Sequence, residues 1–268
     1  MFTFRRLTLF FFIILLCLNL WNVIPGKSAV SFVNINAVLL YSLLFSCYFG
    51  CSFAMAFLPC SNFHHPVLCR GTTDEKSVSI TFDDGPDPVK TPLVLEILRK
   101  HQVYAAFFVI GKKIAGNEWI VKRLIDDGHV IGNHSFSHSK WFDFFPAHKI
   151  RAELLETDHL LKNITGKSPL FFRPPYGVVN PMVSNALKHM PWKAVCWNIR
   201  SFDTLNNNPE KIKTKIIRKL KPGSIILLHD DTLFTGNHLD ELLVAIRQAG
   251  YTVVPLDKLL NIPAHAQE

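Results

Sequence analysis

Two adjacent carboxylates, Asp83 and Asp84, sit in the run Thr81-Phe82-Asp83-Asp84-Gly85-Pro86, directly after an apolar stretch. Neighbouring carboxylates repel, and Gly-Pro forces the chain to turn, so the two side chains point in different directions. One can bind a cation while the other stays free as a base, and the cation relieves the repulsion that would otherwise protonate one of them. Further on, Gly132-Asn133-His134-Ser135-Phe136-Ser137-His138 places two histidines four residues apart. In a helical turn such a pair faces one way and can share one metal. With 12 histidines in the chain, that spacing alone says little. Joined to Asp84 it makes a two-histidine, one-carboxylate set that leaves coordination open for water and substrate, as a catalytic metal requires.

Two further clusters follow. In Phe171-Phe172-Arg173-Pro174-Pro175-Tyr176-Gly177 the prolines stiffen a loop that can hold Arg173 and the backbone near Tyr176 in fixed positions. Arg173 can pair there with a carboxylate; an ordinary surface turn is the competing reading. An apolar run over residues 224–228 then delivers His229 and Asp230 at its end, where a buried structural histidine is the competing reading.

The elements that must position these groups show in two alternating periodicities. Short β-rich runs occur at 77–82, 103–110, 129–131, 170–172, 193–197, 224–228 and 251–254. Helical patterns lie between most of them, at 92–101, 118–127, 147–162, 181–189, 208–220 and 239–248. Strands alternating with helices indicate parallel βαβ units, an α/β fold. About seven such units suggest a barrel, with an open doubly wound sheet as the alternative. In such folds the chemistry gathers where strands end and loops begin, and each polar cluster falls at such a place.

These clusters, in this order, resemble the polysaccharide deacetylase family, which includes the NodB-type chitooligosaccharide deacetylases. Residues 81–86 match its TFDDGP motif, 134–138 its H-S/T-x-x-H motif, 173–177 its RPPYG motif and 227–229 its L-x-H motif. The resemblance spans about 76–259. It implies a distorted (β/α) barrel and a divalent metal, usually zinc, bound by Asp84, His134 and His138. It further implies Asp83 as general base, oriented by Arg173, and His229 as general acid, steered by Asp203. The backbone N–H of Tyr176 would help form an oxyanion site, and Leu227 would line a pocket for the acetyl methyl. A further family motif, D-x-x-D-W, is only partly present: Asp203 survives, while Arg200 and Thr204 replace the first Asp and the Trp. The departure touches the wall facing the substrate and points to a different glycan rather than to lost activity.

The activity so implied is metal-dependent hydrolysis of the N-acetyl group of amino sugars in a polysaccharide or oligosaccharide, releasing acetate. Rival readings are N-deacylation of a lipid-linked sugar at the cytoplasmic membrane face, an O-acetyl esterase, and an inactive glycan-binding module. Retention of both Asp83 and His229 counts against the last.

The rest of the chain splits by composition. Residues 1–60 carry Arg5, Arg6 and Lys27 but no acid, and all 21 Asp and Glu lie beyond. Two apolar stretches, about 7–24 and 37–58, each approach the ~20 residues that cross a bilayer as a helix. Neither shows the polar face of a soluble core helix. The expected organisation is a membrane region over 1–60, a linker over 61–75, a catalytic domain over 76–260 and a tail over 261–268. Ala29-Val30-Ser31 offers a small-residue site at which the first stretch could be cleaved as a signal peptide. The Lys and Arg of the domain are dispersed, as on a solvated surface, and no nucleic-acid motif accompanies them. The expected partners are therefore a carbohydrate and, through the N-terminal segment, a membrane.

Sidedness is set by opposing signals. Arg5 and Arg6 before two spans favour a cytoplasmic domain, whereas envelope glycans lie outside. A Cys60–Cys69 bridge would fit an oxidising compartment.

Overall fold

The computed structural model describes residues 3–23, 35–58, 60–205 and 208–266. Lys27 and the candidate cleavage site at 29–31 lie outside the described residues. Two N-terminal helices, α1 (Phe4–Val23) and α2 (Ile35–Ala56), precede the α/β domain. There the chain runs β1 (Val67–Leu68), β2 (Ser77–Asp83), α3 (Lys90–His101), β3 (Ala106–Val109), α4 (Glu118–Asp126) and β4 (Val130–Asn133). It continues through α5 (Ala147–Thr165), β5 (Phe171–Phe172), α6 (Pro181–Leu187), β6 (Lys193–Val195) and β7 (Ile199–Arg200). It closes with α7 (Pro209–Lys219), β8 (Ile225–His229), α8 (Leu233–Gln248), β9 (Thr252–Val253) and α9 (Leu256–Leu260).

The strands pair in parallel in the order β1-β6-β5-β4-β3-β2-β8-β7, with β9 beside the start of β2. Only residues 196–198 separate β6 from β7 in the chain, yet they stand near opposite ends of this order. The sheet therefore curls round on itself. Across the gap, Arg70 bridges to Ser224 and Gly71 N–H donates to Gly223 O. Gly223 lies so close to Gly71 O, at φ 79, that a side chain there would collide with it. The result is the expected distorted barrel. Among the described residues it has two more strands than the seven expected, because β1 and β7 are two-residue strands with no apolar run of their own.

Period-two alternation divides the core. Phe107, Val109, Ile226 and Leu228 face the layer of α3, α4, α7 and α8, while Ala106, Phe108, Ile225 and Leu227 face inward with Phe172 and Ala194. Local sequence sets the helix starts. Asn180 caps α6 by accepting from Met182 N–H and Val183 N–H, and Asn208 caps α7 through Lys211 N–H; each is followed by proline at the first helical position. At the far end, residues 264–266 pair with 168–170.

The stretch Val38–Ala56 is long and apolar enough to cross a membrane, and of its residues Ala56 alone, at the domain end, is buried. α1 packs antiparallel to α2: the Phe11 ring stacks on Tyr48 at 4.7 Å, and the Thr8 and Tyr48 hydroxyls lie 2.9 Å apart. The hairpin is fastened to the domain. Phe4 N–H donates to Phe63 O, Val179 N–H to Ala56 O, and Ser184 Oγ to His64 O. A disulfide joins Cys60 to Cys69 with 5.8 Å between their Cα atoms.

Candidate active site

Three strand ends converge at the carboxyl edge of the sheet. Asp83 ends β2 in register with His229, which ends β8, and Asn133 ends β4 in register with Phe172 of β5. Beyond β2 the chain turns sharply: Asp84 is left-handed (φ 75) and the Gly85–Pro86 bond is cis. Gly85 leaves no room for a side chain, because the buried Asp230 carboxylate lies against its Cα.

The two aspartates part as the alternation of their surroundings requires. Asp83 is buried and its Oδ1 accepts from Arg173 Nη1 at 2.6 Å. Arg173 is itself fully buried. It also donates to Thr81 Oγ1, Val195 O and Cys196 O, and its guanidinium lies 4.0 Å from the centre of the Phe108 ring. Such a many-sided grip holds a planar cation in one orientation. Asp84 turns the other way, with Oδ1 3.3 Å from His138 Nε2 and 3.6 Å from His134 Nε2.

Asp84, His134 and His138 each offer a ligand atom within 4.8 Å of the others. The residues fit a cation. Asp84 Oδ1 is buried with no hydrogen-bond partner, a costly arrangement unless a positive charge faces it. His134 Nδ1 lies 2.8 Å from Arg173 O, so Nδ1–H donates outward and Nε2 keeps its lone pair for a metal. Burial, reinforced by His134, pulls His138 down to about 4, which leaves it neutral at neutral pH. Burial would raise Asp84, but His134, His138, His229 and Lys113 outweigh it and hold the carboxyl below its usual range.

The backbone between the histidines is not the helical turn that their spacing suggests. Ser135 and His138 are both left-handed (φ 63 and 46). Polar side chains hold the loop instead: Asn133 Oδ1 accepts from Ser135 N–H, and Ser135 Oγ accepts from His138 N–H. Glu153 on α5 takes both the N–H and the hydroxyl of Ser137. The imidazoles still converge, with ring centres 4.9 Å apart.

His229 faces this group from β8, with Nε2 4.0 Å from Asp84 Oδ2. Its other nitrogen, Nδ1, lies 2.9 Å from Asp203 Oδ1. Burial would lower the imidazole, but the Asp203 hydrogen bond and charge, with Asp83 and Asp84 beyond, raise it to about 9. Leu227 stands two residues earlier on β8, on the same face and buried. Tyr176 is left-handed (φ 58), and its half-exposed ring packs 4.9 Å from His138. Where the family motif is broken, Arg200 lies over Phe202 and Trp197, and Lys215 Nζ sits 3.3 Å above the Phe202 ring. Two cations thus gather on the Phe202 ring.

Sequence reasoning did not pick out Glu153. Its signal was present: it interrupts the apolar stripe Ile150, Leu154, Leu161 at a core position of α5. The sequence marks Asp230 only as a neighbour of His229. It accepts from Thr91 Oγ1 and is pushed up to about 7 by burial beneath the 83–86 turn.

Comparison with known proteins agrees with this geometry. Residues 70–195 match the family model described as polysaccharide deacetylase. A peptidoglycan-N-acetylglucosamine deacetylase of Bacillus cereus is 35% identical over 193 residues, covering 70% of this chain and 90% of its own. A peptidoglycan-N-acetylmuramic acid deacetylase of Bacillus subtilis is 35% identical over 194 residues, 71% of this chain and 73% of its own. Among solved structures, the Bc1960 peptidoglycan N-acetylglucosamine deacetylase superposes with a TM-score of 0.70 at 29% identity, covering 75% of this chain and 95% of its own. The chain therefore belongs to the polysaccharide deacetylase family and is an enzyme of its hydrolase class.

Proposed function

We propose that this enzyme removes the acetyl group from N-acetylated amino sugars of an envelope glycan, with a divalent cation, zinc by its donor set, held by Asp84, His134 and His138. One observation carries the reading. A cation-ready triad, a carboxylate gripped by a buried arginine and a histidine gripped by a second carboxylate all meet in one cleft, with Asp84 3.3 Å and 4.0 Å from His138 and His229. The names of the relatives, which act on peptidoglycan, support the substrate class.

A cation in that set supplies Lewis-acid chemistry, lowering the pKa of water toward ~7 and polarising the amide carbonyl. Asp83 accepts the proton of the attacking water. Its bond to Arg173 aims the carboxylate, since Arg173 Nη1 occupies Oδ1 and leaves Oδ2 for the proton. The backbone N–H of Tyr176 donates to the oxyanion as the carbonyl becomes tetrahedral, and Leu227 lines the space for the acetyl methyl. His229 protonates the departing nitrogen, without which an amine leaves very poorly. Asp203 holds that imidazole protonated and oriented. The cations Arg200 and Lys215, gathered where the family motif is broken, suit a glycan that carries carboxylates.

The N-terminal helices anchor the domain, with α1 and α2 as two spans, and the Cys60–Cys69 disulfide favours an outside location. The test is acetate release from a panel of N-acetyl glycans with and without chelator. Release that stops on chelation and returns with zinc supports the reading; release unchanged in metal-free protein overturns it.

A further inference from the structure

We infer that residues 141–144 form a second membrane contact, which sets the rim of the active site at the headgroup level of the bilayer that α2 crosses. The inference rests on the proposed anchor and adds to it how the domain lies.

The end of α2 does not rise clear of the domain. A cleft of about 250 Å³ is lined by Phe49, Phe53 and Ala56 of α2 and by Phe144, Val178 and Pro181 opposite. The Val179 N–H to Ala56 O bond, 3.0 Å, fixes this contact. The apolar span has 19 residues. At 1.5 Å per residue it covers about 28 Å, barely the ~30 Å of a hydrocarbon core, so it has no slack to lift its last turns out of lipid. Phe53 and Phe49 stand three and seven residues before Ala56, roughly 5 and 10 Å below the helix end. Side chains sharing the cleft with them lie where hydrocarbon meets headgroup.

What the domain presents there suits that depth. Phe144 is 72% and Trp141 58% exposed, with ring centres 5.9 Å apart. Trp collects at membrane interfaces, and Phe joins it on the lipid-facing side of segments that lie in the interface. Two cations flank them: Lys140 Nζ lies 5.6 Å above Trp141, and Lys149 Nζ lies 3.6 Å above Phe145. Their stems can cover the rings while the ammonium groups reach lipid phosphates. The cleft wall includes one acid, Asp143, which burial pushes up to about 6, closer to neutral than a surface carboxylate.

The turn is also preformed. Phe142 between the two exposed rings is fully buried, Phe144 N–H donates to Trp141 O, and Asn180 Nδ2 donates to Asp143 O at 2.6 Å. Little ordering remains to be done on contact with lipid. The active site is adjacent on both sides: His138 precedes Trp141 by three residues, and Tyr176, against His138, precedes Val178 by two. A mouth so placed takes sugars presented at the bilayer surface, so an N-acyl amino sugar still carried on a membrane lipid fits it better than a distant polymer.

The test uses the full chain in nanodiscs of phosphatidylcholine brominated near the top of the acyl chains. Trp141 emission is isolated by subtracting the Trp141→Phe variant. Strong quenching by the brominated lipid and weak quenching by aqueous iodide are expected. In addition, Phe144→Asp should slow hydrolysis of a lipid-attached N-acetyl sugar at least five-fold and leave a soluble N-acetyl oligosaccharide unaffected. Iodide quenching without bromine quenching, or equal effects of Phe144→Asp on both substrates, overturns the inference. Failure of the wild-type chain to float with lipid would overturn the anchor and this contact together. Flotation with Trp141 in water overturns the contact alone.

Discussion

Asp203 holds His229 at two points: Oδ1 lies 2.9 Å from the ring Nδ1, and Oδ2 accepts the backbone N–H at 2.8 Å. Ser201 Oγ donates to the same carboxylate at 2.6 Å. Burial would raise Asp203, yet these bonds and the His229 charge keep it below the usual carboxylate range. The pair thus keeps a proton on the imidazole, whose own value rises to about 9. In its proposed role as the acid, His229 must be protonated to work, so turnover should fall as pH rises through that value, shifted downward by any cation held near Asp84. Asp203→Asn removes the charge and retains the side-chain shape. We expect turnover at neutral pH to drop by about 10²-fold, at the low end for loss of a general acid, and the alkaline limb to move to lower pH. Rate–pH profiles of the two proteins check this; an unmoved limb would assign the acid elsewhere.

How far the sequence carries depends on whether a feature is local. β2 and β8 are apolar runs with polar ends, so both the strands and the Asp83 and His229 positions show in the chain. β1 and β7 exist only because β6 and β8 offer them edges, and nothing in two residues announces that. α8 begins at Leu233, ahead of the periodic stretch at 239–248: Thr232 caps it by accepting from Thr235 N–H, and packing carries it through the poor helix formers Gly236 and Asn237. The histidine pair is visible by spacing, while the left-handed loop that brings it together depends on Asn133 and Glu153, the latter from another element. A long-range prop of this kind leaves only a polar residue on an apolar stripe as its trace.

Glu153 supplies the next prediction. Its two oxygens take the Ser137 N–H at 2.9 Å and hydroxyl at 2.6 Å, directly before His138. Glu153→Ala leaves that N–H without its acceptor and frees the loop. Loss of an outer partner of a metal ligand typically costs 10–100-fold in metal affinity or activity. We expect zinc affinity to weaken by about 10-fold, with Glu153→Gln in between because its carbonyl can accept one of the two bonds. Competition titration against a chromophoric chelator measures this, and affinity unchanged in Glu153→Ala would remove the residue from the site's support.

A separate pH effect on stability is expected from His129, well away from the catalytic groups. Its Nδ1 accepts the Ala105 N–H at 3.2 Å, which requires that nitrogen to be unprotonated. Burial is the main cause that lowers it to about 4, with Asp127 opposing and Arg123 assisting. The folded value is depressed below the unfolded ~6.5, so the unfolded chain binds the proton first. Stability from this group is complete above about pH 6.5 and is lost as pH falls toward 4, up to about 3 kcal/mol. His129→Asn keeps an acceptor for Ala105 and removes the titration. Thermal unfolding between pH 7 and 4 should therefore show a shallower decline for the variant. Parallel curves would contradict the assignment.

Sidedness brings charge and chemistry into direct conflict. The α1–α2 hairpin sets Phe4 beside Phe63, so Arg5 and Arg6 share the domain's side of the membrane. The positive-inside tendency alone would make that side cytoplasmic. A Cys60–Cys69 disulfide does not persist there in most organisms, because the cytosolic thiol pool reduces it. Two arginines are a weak determinant beside a covalent bond, so the domain should lie outside. A periplasm-active reporter fused after Glu268 is expected to be active. With Cys17, Cys47, Cys51 and Cys196 replaced by serine, an impermeant maleimide should label intact cells only after reduction. A silent reporter, with thiols labelled without reductant and only after permeabilisation, would place the domain inside. The rival substrate would then be a lipid-linked sugar on the inner leaflet. The set Asp84, His134 and His138 stands either way, since its geometry owes nothing to the anchor.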